Sequence, residues 1–116
     1  MHSDFKDKEI YKKTKELYIL LNKILNNKVP YALKDQILRA NISILLNFAE
    51  GYGRFHKNDK KQFYLTSRAS LNEVIACFDL VEVHTDISEI DKKKFDEISG
   101  VLGKMISGLI NKVKWC

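Results

Sequence analysis

Apolar residues return every three or four positions through four separate stretches of this chain, and a single proline interrupts the pattern. That spacing places side chains on one face of an α-helix. In the first stretch Ile10, Thr14, Leu17, Leu21 and Ile24 form the stripe, widened by Leu20 and Leu25, with lysines on the other faces. It predicts an amphipathic helix over residues 7–26. Pro30 drives Val29 out of helical geometry, and a second helix is expected over 31–50. Asp59, with Gln62 three residues on, reads as the cap of a third helix over 59–85. Its seam is Phe63, Ser67, Ser70, Val74, Cys77 and Val81. A fourth helix, capped by Asp86 or Ser88 and carrying Phe95, Ile98, Leu102, Met105 and Leu109, is expected over 88–114 and broadens towards Trp115. No stretch alternates with the period of a strand, and no linker divides the chain. The expectation is one domain over residues 1–116, all-α, folded as an antiparallel up-down-up-down four-helix bundle.

The second helix is apolar around most of its girth. Ile37, Ala40 and Ile44 make one stripe, while Leu38, Ile42, Leu45 and Ala49 make another, with Leu46 and Phe48 added. Such a helix is covered by several neighbours. Three partner helices in a chain of 116 residues leave part of it over, which points to a subunit interface; the alternative is a wide-faced helix central to its own bundle.

Charge narrows the partners. The net charge is +5, and it is uneven: residues 1–70 hold 14 Lys and Arg against 7 Asp and Glu, residues 71–116 hold 6 against 8. A basic first half suits a polyanion, RNA or DNA, although a lysine-rich helical surface can also serve solubility alone. The candidate contacts are Lys8, Lys12, Lys13, Lys15 and Lys23 on the first helix, and Arg54, Lys57, Lys60 and Lys61 after the second. Tyr52, Phe55 and His56 interleave rings with the latter set, a mixture suited to unpaired bases and phosphates together. Lys60 and Lys61 fall in the first turn of the third helix, where the helix dipole favours an anion. The charged N-terminus does not resemble a signal peptide, and no run is apolar enough to span a bilayer, so a cytoplasmic protein without a membrane partner is expected.

Catalytic patterns are missing from the sequence. It contains no Walker sequence, GxGxxG, HExxH or Glu-x-x-His pair, and His2, His56 and His84 do not converge by spacing. Cys77 reads as a small core residue, and Cys116 is terminal. No enzyme activity, metal or cofactor is expected. Polar residues on apolar faces instead suggest architecture: Arg68 is expected to pair with Glu50, Glu73 or both, with Asn47 bridging nearby, because an unpaired buried charge is costly. The competing reading has Arg68 reach solvent with its stem on the core. In "NFAEGYGRF", residues 47–55, Gly51 and Gly53 are expected to free the backbone to turn the corner, with Asn47 and Glu50 inward and Tyr52 and Arg54 outward.

The block "QILRANISILLNFAEGYGRFHKNDKKQFYLTSRASLNEV" resembles the four-helix-bundle family encoded in intervening sequences of bacterial 23S rRNA genes. Gln36, Ile37, Arg39, Ala40, Ser43, Ile44, Asn47, Ala49, Glu50, Gly51, Gly53 and Arg54 match its first block, and Phe63, Arg68, Ser70 and Glu73 its second. Leu45 and Leu46 stand where the family often has Pro-Ala, so no proline kink is expected; Phe48, Ser67 and Ala69 are smaller departures. The resemblance implies a homo-oligomer, with pentameric barrels the recurrent assembly. It also implies association with ribosomal RNA. Accessory proteins of diversity-generating retroelements form a sister group that binds nucleic acid and a reverse transcriptase through a basic surface. The reading is a non-enzymatic nucleic-acid-binding oligomer; its rival is a protein–protein adaptor or structural oligomer with no nucleic-acid role.

Overall fold

In the computed structural model, which describes residues 4–113, four helices follow a short 3-10 turn at Asp4–Asp7: α1 Glu9–Ile24, α2 Tyr31–Gly53, α3 Lys57–His84 and α4 Glu89–Lys112. His2, Trp115 and Cys116 lie outside the described residues. The fold is an all-α four-helix bundle. Each helix packs on those before and after it in sequence, and α1 closes the ring on α4. Contacts fix the direction of several pairs. Along α2 and α3, Gln36 meets Glu73, Ser43 meets Ser70, Ile44 meets Ser67 and Gly51 meets Tyr64, so these two helices run in opposite senses. Glu82 against Lys92 and Phe78 stacked on Phe95 show that α3 and α4 also run in opposite senses.

The core follows the sequence stripes. Leu17, Leu21, Ile37, Ile44, Val74, Val81 and Leu102 are fully buried. Of the two stripes on α2, the one containing Ile37, Ala40 and Ile44 faces the core; Ile42 and Leu46 of the other side are exposed, with Leu38, Leu45 and Ala49 half-buried beside them. At the α1–α2 connection Pro30 sits just before α2 with an extended backbone, and Val29 is buried. Asn26 donates to the Thr85 hydroxyl at 2.9 Å, tying this connection to the one between α3 and α4. Ser88 caps α4, its hydroxyl accepting from the Asp91 N–H at 3.1 Å.

The corner between α2 and α3 departs from the sequence reading. α2 continues through Gly51 and Gly53, and no described residue has a positive φ. The chain reverses in the three residues Arg54–His56, with extended backbone at Arg54 and His56. Asp59 is not the cap either: α3 starts at Lys57 behind His56, with no side-chain cap bond, and Asp59 lies in its first turn. Gly51 has a different purpose. A Cβ built there would lie 2.6 Å from the Tyr64 ring and 3.0 Å from the Phe63 Cβ, so the missing side chain lets α3 approach.

Candidate nucleic-acid interface

The helix reversals bring the start of α1, the end of α2, the start of α3 and the end of α4 to one end of the bundle. Tyr52 is the hub. The Lys8 and Lys60 ammonium groups lie 5.5 and 5.6 Å from its ring centre, within cation–π range. Its ring also meets Phe48, which packs on Tyr64 in turn. Between α1, α2 and α4 an open groove of about 470 Å³ is floored by Ile10, Phe48, Tyr52, Met105 and Leu109. Lys8, Lys104 and Lys112 rim it, with Glu9 as the one carboxylate. Phe55 stands 90% exposed at the corner, edge-on to His56.

The sequence candidates divide by what already holds them. Lys60 is engaged inside the protein: its ammonium donates to the Gly51 and Tyr52 carbonyls at 3.1 and 2.8 Å, closing the negative end of α2. Its partial burial lowers its pKa. The expectation that it awaits a phosphate therefore gives way to a helix-capping role. Arg54 is shared between Glu50 at 2.9 Å and the Phe63 ring at 4.8 Å. Lys57 is exposed on the first turn of α3, with Lys61 one turn on. On α1, Lys12 lies 3.9 Å from Glu9, Lys13 3.3 Å from Glu16 and Lys23 3.1 Å from Asp91. Lys15 is exposed, and Lys23 stands at the opposite end of α1 from Lys8. Of the helix-one lysines, Lys8 lies against Tyr52 at the corner while Lys23 stands at the far end of the bundle, so the set does not form one surface.

The expected polar cluster does not assemble. Glu50 turns to Arg54, Glu73 accepts from Gln36, and Asn47 donates to the Ser43 carbonyl and hydroxyl at 2.8 and 3.0 Å. Arg68 lies on the α3–α4 side with Asn72, Gly103 and Lys104, half-buried. Asn47 belongs instead to a hydroxyl seam between α2 and α3, in which Ser43 and Ser70 meet at 2.7 Å and Ser67 donates to the Ile44 carbonyl at 2.8 Å. Short polar side chains there let the two backbones come close without leaving a donor unmet.

Three residues of consequence were missed. Lys104 and Lys112 lie in the half of the chain that is net acidic; returning α4 to the start of α1 is what recruits them. Asn41 is 1% exposed, and its side-chain carbonyl has no hydrogen-bond partner. Its place four after Ile37 and three before Ile44 was the signal.

The sequence profile of the 23S rRNA-intervening sequence proteins matches residues 6–108, nearly the whole described chain. The chain belongs to the 23S rRNA-intervening sequence protein family. No curated protein matches it significantly. For this family member, the four-helix bundle and the block around residues 36–73 agree with that assignment. Among the described residues, no group of three or more His, Cys, Asp or Glu is placed to hold a metal, and no helix is long and apolar enough to cross a membrane.

Proposed function

We propose that this 23S rRNA-intervening sequence protein is a non-enzymatic accessory protein that self-associates and binds structured RNA, or DNA, through the basic end of its bundle. The observation that carries the reading is the gathering of Lys8, Lys104 and Lys112 in one groove with Tyr52, with Arg54 on the other side of Tyr52 and the exposed Phe55 next in the chain. Ammonium groups meet phosphates, and aromatic rings meet bases that are not stacked in a duplex. The family's link to ribosomal RNA genes makes ribosomal RNA the first partner to test, and such a partner places the protein in the cytoplasm. Self-association is supported by Ile42 and Leu46, 41% and 55% exposed on one face of α2. A pentamer is the assembly that the sequence resemblance favours.

A second reading rests on the α2 face alone. The same α2 face suits a protein–protein adaptor or structural oligomer with no nucleic-acid role. Binding of fluorescently labelled structured RNA, titrated with salt, separates the two. Phosphate contacts by several lysines make affinity fall steeply and log-linearly with salt. Absence of binding at low salt removes the nucleic-acid reading and leaves the adaptor.

A further inference from the structure

The basic end contains a groove with two chemistries side by side, and lysines alone do not account for it. Phosphates on a duplex surface need cations and no apolar floor. Here Phe48, Tyr52, Met105 and Leu109 form such a floor beneath Lys8, Lys104 and Lys112. The single acid on the rim, Glu9, lies 3.9 Å from Lys12, which offsets its charge. The volume, about 470 Å³, falls among small-ligand sites.

A second groove, of about 560 Å³ farther along α1 and α4, is the natural comparison. It has an apolar floor of Ile19, Leu20, Ile98 and Val101, with no aromatic ring. Its lysines 13, 23 and 94 share the lining with Glu16 and Glu97; Lys13 lies 3.3 Å from Glu16 and Lys23 3.1 Å from Asp91. Charge and aromatic character therefore single out the first groove.

We propose that this groove receives one unpaired nucleotide of the bound RNA, its base on the Tyr52 and Met105 floor and its flanking phosphates on Lys8, Lys104 and Lys112. This rests on the RNA-binding reading above and specifies what that end recognises. An unpaired nucleotide presents an open base face with an anion on either side, whereas a duplex keeps its base faces stacked. The two lysines on Tyr52 divide the work. Lys60 is anchored by the α2 carbonyls and holds the ring. Lys8 lies at the exposed start of α1, on no such anchor, and can pass from the ring to a phosphate as the base arrives. Gly108 lines the groove without a side chain, and a Cβ added there meets nothing within 4 Å, so a larger residue fits at this wall.

Gly108→Leu tests the groove while leaving every lysine in place, and it improves helix propensity. Affinity is read by fluorescence anisotropy at low salt for two RNAs of equal length, a hairpin with an unpaired loop and a blunt duplex. Wild type should prefer the hairpin. Gly108→Leu should lose roughly tenfold on the hairpin, within the range that base stacking supplies, and nothing on the duplex. Equal affinity of wild type for both RNAs, or an unchanged hairpin affinity in Gly108→Leu, overturns the groove and leaves RNA binding standing. Binding of neither RNA by wild type removes both. A probe independent of the variant is 2-aminopurine in the hairpin loop. Its emission should change sharply when wild type binds, and a flat signal on binding overturns the proposal.

Discussion

Gly51 of α2 lies against the Cδ1–Cε1 side of the Tyr64 ring on α3, so close that a Cβ at position 51 would come within 2.6 Å of the ring. Tyr64 is 3% exposed and packs on Phe48, so the ring has little room to yield. Gly51→Ala should therefore destabilise, despite a gain of about 1 kcal/mol in helix propensity. Overpacking typically costs about 1–3 kcal/mol, which leaves a net loss of roughly 1 kcal/mol. Gly53→Ala, where an added Cβ meets nothing within 4 Å, should be neutral or stabilising by up to about 1 kcal/mol. Urea unfolding of both variants checks the contrast. Equal effects would mean that close approach is not what position 51 requires.

The same tyrosine gives the protein an alkaline limit. Burial, and secondarily the neighbouring Tyr52, push the Tyr64 hydroxyl from 10.0 up to about 12. Between those values the unfolded chain loses the proton and the folded chain keeps it. Stability is therefore intact below about pH 10 and falls as pH rises towards 12, by roughly 2 kcal/mol. Lys60, whose pKa is lowered by desolvation, contributes with the opposite slope, so the comparison must isolate Tyr64. Tyr64→Phe keeps the ring and removes the proton. The difference in unfolding free energy between wild type and Tyr64→Phe, followed from pH 8 to 12, should shift in favour of the variant above pH 10. A constant difference would contradict the assignment.

The Gly51–Tyr64 contact marks the limit of what local sequence patterns carry. Periodic apolar spacing located all four helices, because it reports a property each helix carries alone. Pro30 and Ser88 marked their boundaries by local chemistry, the restriction a proline puts on the residue before it and a capping hydroxyl. Gly51 failed as a signal because a glycine that ends a helix and one that admits a neighbouring ring are the same letter; only the position of Tyr64 separates them. Arg68 failed for a similar reason. Its helix was assigned, but the angle that turns it towards α4, away from Glu50, is set by packing with other helices. Lys60 was located correctly in the first turn of α3, and its engagement with the α2 carbonyls depends on the tightness of the corner. The candidate site was half legible: Lys8 and Tyr52 were named, while Lys104 and Lys112 required the return of α4.

Asn41 offers a stability gain. Its side-chain N–H reaches the Thr14 carbonyl only at 3.4 Å, and its own carbonyl has no partner. A buried polar group left unmet costs about 1–3 kcal/mol. Asn41→Leu, of similar shape, removes that cost and should raise stability by about 1 kcal/mol. Asn41→Ala removes the polar atoms but leaves a void, and should gain less or lose. Thermal unfolding ranks the three proteins, and a less stable Asn41→Leu would show that the amide has a partner in solution.

The outer face of α2 predicts the assembly experiment. Ile42 and Leu46 are exposed, with Leu38, Leu45 and Ala49 half-buried around them. Charges at those two positions lie on the surface and should cost the fold less than about 0.5 kcal/mol. Ile42→Lys together with Leu46→Glu should lower the mass seen by light scattering while leaving the circular dichroism spectrum unchanged. A wild-type monomer at micromolar concentration would remove self-association, and an unchanged oligomer in the variant would move the interface elsewhere.

Lys57 and Lys60 are three residues apart in one turn of α3, and their substitutions should have opposite signatures. Lys60 donates to two α2 carbonyls, so Lys60→Met should cost roughly 1–2 kcal/mol of stability, charged hydrogen bonds being among the stronger ones. It should leave the salt dependence of RNA binding unchanged, because this ammonium is already engaged. Lys57 is exposed, so Lys57→Ala should be nearly neutral for folding. If Lys57 touches a phosphate, its removal lowers the slope of log affinity against log salt by about one. Urea unfolding and salt-titrated anisotropy on the two variants give four numbers. A stable Lys60→Met with a reduced slope would return Lys60 to the RNA surface and take the helix cap away from it.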